Sequence, residues 1–189
     1  MTQRRIFATL AAIVVLVGIG IVGAGGTSFG RSGQSAATPL KVDKIVVLKA
    51  ARRMNLFYRG RQVRTYSIAL GFSPRGHKTT EGDGKTPEGL YRIDARNPNS
   101  SFHLSLRISY PNAMDRAQAR RRGVSPGGQI FIHGQPNRLG AAVGAAMRAA
   151  GNIVAIPGDW TLGCIAVSNR QIRELWRAVR IGTPIELRA

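Results

Sequence analysis

Acidic side chains are scarce in this chain. Nine Asp and Glu stand against 28 Lys and Arg, a formal net charge of +19 over 189 residues. Residues 1–38 contribute only Arg4, Arg5 and Arg31, so the remainder still holds 25 basic against 9 acidic residues, a net +16. A surface of that sign attracts polyanions. The chain has no helix-turn-helix, zinc-finger or RNP pattern, and its basic residues are dispersed rather than gathered in one block, so nucleic acid is not the expected partner. Anionic lipid, teichoic-acid-like polymers and carboxylate-rich cell wall fit the charge better.

Cysteine is scarcer still. Cys164 is alone, which excludes an internal disulfide and leaves either pairing with another chain or a free thiol. With it stand only three histidines, His77, His103 and His133, in none of the usual ligand spacings, so no metal is expected. No cofactor is expected either. There are no internal repeats, and a monomer is the expected state.

Long apolar runs are limited to one. Arg4 and Arg5 precede "IFATLAAIVVLVGIGIV", the core of an uncharged stretch from Ile6 to Gly30. A membrane helix needs ~20 apolar residues, and basic residues before such a run mark a signal anchor or a cleaved signal. Residues 1–26 are therefore expected to be one or the other, with the rest of the chain outside the cytoplasm. Residues 27–39 are rich in Gly, Ser and Thr and read as a flexible linker. The folded domain is expected over 40–189, about 150 residues, long enough for a proper core.

Within it the pattern is strand-rich. "KIVVLKA" (44–50), "RMNLFYR" (53–59), "RQVRTYSIALG" (61–71), "LYRIDAR" (90–96), "FHLSLRISY" (102–110), "QIFIHG" (129–134) and the closing "TPIELR" are short, β-branched or aromatic, and partly alternating. Gly60 marks a tight hairpin. The stretch 71–89 is too rich in Gly, Pro and polar residues to be regular. Helices are expected at 112–123, at 139–151 and from Asn169, a natural N-cap, towards Gly182. In the last, Ile172, Leu175, Trp176 and Val179 form one apolar stripe. The count gives a β-dominated α+β domain.

The chemistry concentrates in "QIFIHGQPN" and "GDWTLGCIAVSN". His133 ends an apolar strand and is followed by Gly134. Cys164 follows Gly163 and precedes a small apolar run. A thiol beside an imidazole is a minimal covalent catalytic pair: the imidazole takes the proton and the thiolate attacks a carbonyl. Composition alone leaves two readings open for each residue. Cys164 is a small buried hydrophobe or a nucleophile; His133 is a satisfied polar residue or a base.

"IHG", then "TLGCIAVSN", a helix and "GTPIEL" resemble the L,D-transpeptidase catalytic domain of the YkuD type. "KTPEGLYRID" (85–94) resembles that family's Thr-Pro-x-Gly landmark, and residues 45–71 resemble its opening strands. The resemblance covers about residues 43–188. It implies a β-rich, sandwich- or barrel-like fold and a cysteine enzyme of the cell envelope acting on peptidoglycan stem peptides. In such enzymes the peptide bond after the L-centre of meso-diaminopimelate is attacked, the terminal D-residue leaves, and an amine resolves the thioester. By position Cys164 matches the nucleophile, His133 the base, and Gly163 the glycine whose N–H faces the oxyanion. Thr161, Gly134, His103 and Trp160 fall where substrate contacts are expected. Asp159 is read as a rim contact, and Trp160 as a platform or a core residue. Two departures stand out: Leu162 replaces the usual His, and Ala166 replaces the Arg that helps hold substrate. Residues 101–115 resemble a branch that is part transpeptidase-like and part hydrolase-like.

Overall fold

The structure is a computed structural model and describes residues 39–137 and 158–189. The apolar N-terminal segment, nearly all of the linker and the helix expected at 139–151 lie outside the described residues. Eight strands and two helices are described: β1 Lys44–Leu48, β2 Arg53–Tyr58, β3 Arg61–Ser67, β4 Gly89–Asn97, β5 Ser105–Ile108, α1 Ala113–Arg122, β6 Phe131–His133, β7 Ile165–Ala166, α2 Asn169–Ala178 and β8 Pro184–Arg188. None of the described helices is long and apolar enough to cross a membrane.

Alternation explains the outer strands. In β2, Met54 and Leu56 are buried while Asn55 between them is not, the period-2 pattern of a strand with one face inward. Arg59 and Gly60 both take positive φ, 50° and 75°, the two-residue hairpin turn whose twist matches the flanking strands. The eight strands form one sheet in the order β3-β2-β1-β8-β4-β5-β6-β7. The last strand in sequence thus lies mid-sheet, parallel to β1 and antiparallel to β4.

The sheet curls until its edges meet. Past β3, Ala69 exchanges hydrogen bonds of 2.9 and 2.8 Å with Ala166, and Thr161 N–H donates to the Leu70 carbonyl at 3.1 Å. The expected strand 61–71 therefore serves both edges, pairing with β2 first and with β7 afterwards. Ile45, Met54, Leu56, Ile93, Leu106, Ile132, Ile165 and Ile185 fill the interior, joined by Ile172, Leu175 and Val179 of α2. Each such side chain contributes about 1.5–3 kcal/mol by leaving water.

Besides the strand at 61–71 and shifts of one or two residues at other element ends, three boundaries differ from the sequence reading. The strand expected at 102–110 shortens to 105–108, because His103 takes φ 71° and turns the chain. The N-cap of α2 is Ser168 rather than Asn169. Its hydroxyl accepts from Gln171 N–H at 3.2 Å while the Gln171 side chain accepts from Ser168 N–H at 2.9 Å, a reciprocal capping box. Helix α2 also ends at Ala178, with Val179 extended, and Gly182 at φ 91° belongs to the turn before β8. Helix α1 follows expectation, capped by Asn112 and closed by left-handed Gly123.

Candidate active site

Strand register brings the two chemical residues to one face. Strands β6 and β7 run parallel with Ile132 beside Ile165 and His133 beside Ala166. Laterally paired residues share a face and successive ones alternate. His133 therefore shares its face with Ala166 and with Cys164, which precedes β7, while Ile132 and Ile165 point into the core at 0% exposure. Strand β5 extends the pattern, since Ser105 pairs with His133 and Arg107 with Phe131. One row crosses the three strands, Ser105–His133–Ala166, and the Phe131 backbone, opposite Arg107, is hydrogen-bonded to the Cys164 thiol.

His133 is buried at 4% exposure. Its Nδ1 lies 2.7 Å from the Gly134 carbonyl. A carbonyl only accepts, so Nδ1 carries the hydrogen and Nε2 keeps the lone pair of a base. Two rings pack on the imidazole: Phe102 at 4.5 Å and Trp160 edge-on at 5.6 Å between centroids. Burial pushes the His133 pKa down, against the opposing Gly134 hydrogen bond, so the imidazole is neutral at neutral pH.

Cys164 is partly covered. Its Sγ donates to the Gln129 carbonyl at 3.4 Å, and Gln129 itself takes φ 60°, the left-handed region that costs a non-glycine residue energy. Burial pushes the thiol up to about 11, opposed by a hydrogen bond to the Phe131 backbone and by the Lys78 ammonium. The thiol and the imidazole thus share a face but are not hydrogen-bonded in this state. Catalytic contacts are commonly loose before substrate arrives.

The turn carrying Cys164 is held by its own atoms and by the loop 71–89. Thr161 is buried; its hydroxyl accepts from Gly163 N–H at 3.1 Å and donates to the Cys164 carbonyl at 2.7 Å. Gly163 takes φ 126°, and a Cβ there would meet the Lys85 carbonyl at 2.5 Å. Only glycine allows that approach. Asp83 organises the facing loop by accepting from the N–H groups of Thr79, Thr80 and Lys85 and from Lys78 Nζ at 2.8 Å. Lys49, buried at the end of β1, donates to the carbonyls of Gly76 and Thr86 and to Glu88.

The remaining expected contacts separate. Gly134 is a packing position, where a Cβ would meet Asn169 Oδ1 at 2.6 Å. His103 faces α2, with Nε2 3.1 Å from Arg173 Nη1, whereas its neighbour Phe102 reaches His133. Asp159, expected at the rim, is buried at 4% and paired with Arg52 at 2.6 Å, and it also accepts from Leu70 N–H at 2.9 Å. Exposed Leu162 stands where the family His is expected. Phe102, Gln129, Lys78 and Asp83 were missed in sequence. The Asp83–Gly84 step after a lysine in an otherwise irregular loop was the only available signal.

The chain belongs to the YkuD family, the L,D-transpeptidase catalytic domain, whose profile matches residues 43–187. It is similar to YafK of Escherichia coli strain K12, whose name assigns it provisionally to the L,D-transpeptidases: 26% identity over 141 residues, 71% of this chain and 46% of that protein. Among solved structures it resembles the helical cell shape determining protein Pgp2 of Campylobacter jejuni, with TM-score 0.57 and 24% identity over 77% of this chain and 47% of that one. It also resembles Bd1075 of Bdellovibrio bacteriovorus, with TM-score 0.52 and 24% identity over 78% and 48%. The chain thus spans about half the length of these relatives.

Proposed function

We propose that this domain is a cysteine acyltransferase of the cell envelope acting on peptidoglycan stem peptides, with Cys164 as nucleophile and His133 as base. The observation that carries the reading is the shared sheet face of Cys164 and His133, with the imidazole tautomer set by the Gly134 carbonyl. Family membership and the apolar segment at Ile6–Gly30 support the envelope location.

The chemistry follows from neutral partners. The thiol leaves the Gln129 carbonyl, turns to His133 Nε2 and gives up its proton as Sγ bonds to the carbonyl carbon after the L-centre of diaminopimelate. Thr161 Oγ1 already occupies the Gly163 N–H, so the Cys164 N–H takes the larger share of the developing oxyanion. Preorganised donors of this kind are a large catalytic term. The imidazolium returns its proton to the departing D-amino acid nitrogen as the C–N bond breaks and a thioester forms. An amine acceptor or water then attacks the thioester, and its proton passes back through His133. Lys78, held by Asp83, favours the thiolate electrostatically.

Purified sacculi and tetrapeptide muropeptides incubated with the full chain test this by mass spectrometry of the products. New cross-links identify an amine acceptor; shortened stems identify water. Both require Cys164. Unchanged muropeptides with retained wall binding would mean a non-catalytic wall module instead. Pgp2 is described as determining helical cell shape, and the branch that residues 101–115 resemble is part transpeptidase-like and part hydrolase-like, so the product assay decides between amine and water as acceptor.

A further inference from the structure

A cleft of about 600 Å³ opens beside the nucleophile, lined by Asp94, Arg107, Ser109, Asn112, Arg116 and Gln129 among others. Gln129 joins cleft and nucleophile, because its carbonyl accepts from Cys164 Sγ at 3.4 Å. Arg107 pairs across the strands with Phe131, whose backbone is hydrogen-bonded to the Cys164 thiol. Adjacent strands lie about 4.8 Å apart, so Arg107 stands one strand away from the residue that touches the nucleophile. Asp94 grips Arg107 through Nε at 2.8 Å and Nη2 at 3.3 Å, and the Pro111 carbonyl accepts from Arg116 Nη1. Among the described residues, Arg107 Nη1 and Arg116 Nε and Nη2 donate to no protein atom.

The larger cleft, about 690 Å³ between Lys49, Arg52, Glu88 and Asp159, offers a contrast. Its buried cation Lys49 donates to three protein acceptors, and Arg52 is engaged by Asp159 and by the carbonyls of Lys49 and Ala50. The cleft beside Cys164 instead keeps guanidinium donors available. At position 166, beside His133, the chain has alanine at 2% exposure and no cation.

We propose that the cleft between β5 and the start of α1 is the subsite for a carboxylate of the stem peptide near the scissile bond, with Arg107 and Arg116 as its recognition groups. The proposal rests on the preceding functional reading. Asp94 holds the Arg107 plane while the outer edge stays open to a second acceptor, and Arg116, in the first turn of α1, lines the same cleft. Guanidinium–carboxylate bonds are charge-assisted and planar, so they discriminate a carboxylate from its amide. The carboxylate is that of the diaminopimelate side chain or that of the acidic residue before it.

The test is calorimetric binding of tetrapeptides to the full chain carrying Cys164→Ala, which reads the cleft whether or not acyl transfer occurs. Three ligands are compared: the free acid, the form amidated at diaminopimelate, and the form amidated at the preceding acidic residue. Amidation of the recognised carboxylate is expected to weaken binding by roughly 10–100-fold. R107Q and R116Q, singly and together, should bring the ratio of free-acid to amidated affinity down towards one. The ligand whose amidation matters identifies the carboxylate. Equal affinity for all three ligands, or a preference that survives the double substitution, would overturn the assignment. Failure of the wild type to process any stem peptide in the product assay would instead overturn the functional reading.

Discussion

At the scale of residues, the account turns on a thiol and an imidazole that are both neutral at rest. Burial drives them apart in acidity, raising Cys164 to about 11 and lowering His133 below its ordinary 6.5. A preformed thiolate–imidazolium pair would need the reverse order. Alkylation of native Cys164 by iodoacetamide should therefore keep rising well above the free-thiol midpoint of ~8.5. His133→Ala should slow it near pH 7 and lose its effect above the thiol's own pKa. A rate already level by pH 7 would contradict this. The same shift sets the acid side. Because burial disfavours the imidazolium, His133 remains a competent base until the pH falls below 6.5, and turnover should decline only below that point. Cys164 and His133 were visible in sequence as candidates, because glycine flanks each at an element boundary, but the buried and the catalytic reading stood side by side until the family resemblance was drawn. Gln129 and Phe102 were not, since one acts through a backbone carbonyl and the other through a ring placed by the turn at His103.

At the scale of elements, the Cys164 turn depends on parts that the sequence disguised as loop or rim. Asp159 reads as a surface acid beside Trp160, yet it ties Arg52 and the Leu70 amide to the start of the turn. Asp159→Ala should cost about 1–3 kcal/mol in urea unfolding, whereas Asp94→Ala, which breaks an exposed pair, should cost at most about 1 kcal/mol. Equal losses would contradict the ranking. Gly163→Ala faces both a positive φ and the Lys85 carbonyl. It should destabilise by at least about 1–2 kcal/mol and depress Cys164 chemistry out of proportion to unfolding, measured as alkylation rate in the still-folded protein. Strand positions were legible because β-branched alternation is local. The extra pairing of Ala69 with Ala166 was not, because nothing in residues 61–71 marks where one partner strand ends and the other begins. The Ser168 cap was missed for a simpler reason: serine and asparagine cap equally well, and the structure uses Asn169 Oδ1 to hold Gln135 N–H instead.

At the scale of the molecule, the strand order places β8 in the middle of the sheet and brings β6 and β7 together across the 31 positions from His133 to Cys164. That register puts the pair on one face, and no local pattern encodes it; only the resemblance of the motifs to a family anticipated it. The charge is a property of the whole as well. With a net +16 outside residues 1–38, binding to isolated wall should weaken as salt rises, because exposed charges are screened beyond ~8 Å at physiological ionic strength. Co-sedimentation at low and high salt reads this directly, and salt-independent binding would assign affinity to stem-peptide recognition alone. The central claim is covalent chemistry at Cys164, and its most direct measurement is intact-mass and peptide-mapping spectrometry of the protein quenched in acid during reaction with a tetrapeptide stem. The account predicts an adduct on Cys164 with the mass of the stem less its terminal D-residue, absent in Cys164→Ala. Full turnover of stem peptides by Cys164→Ala would contradict it.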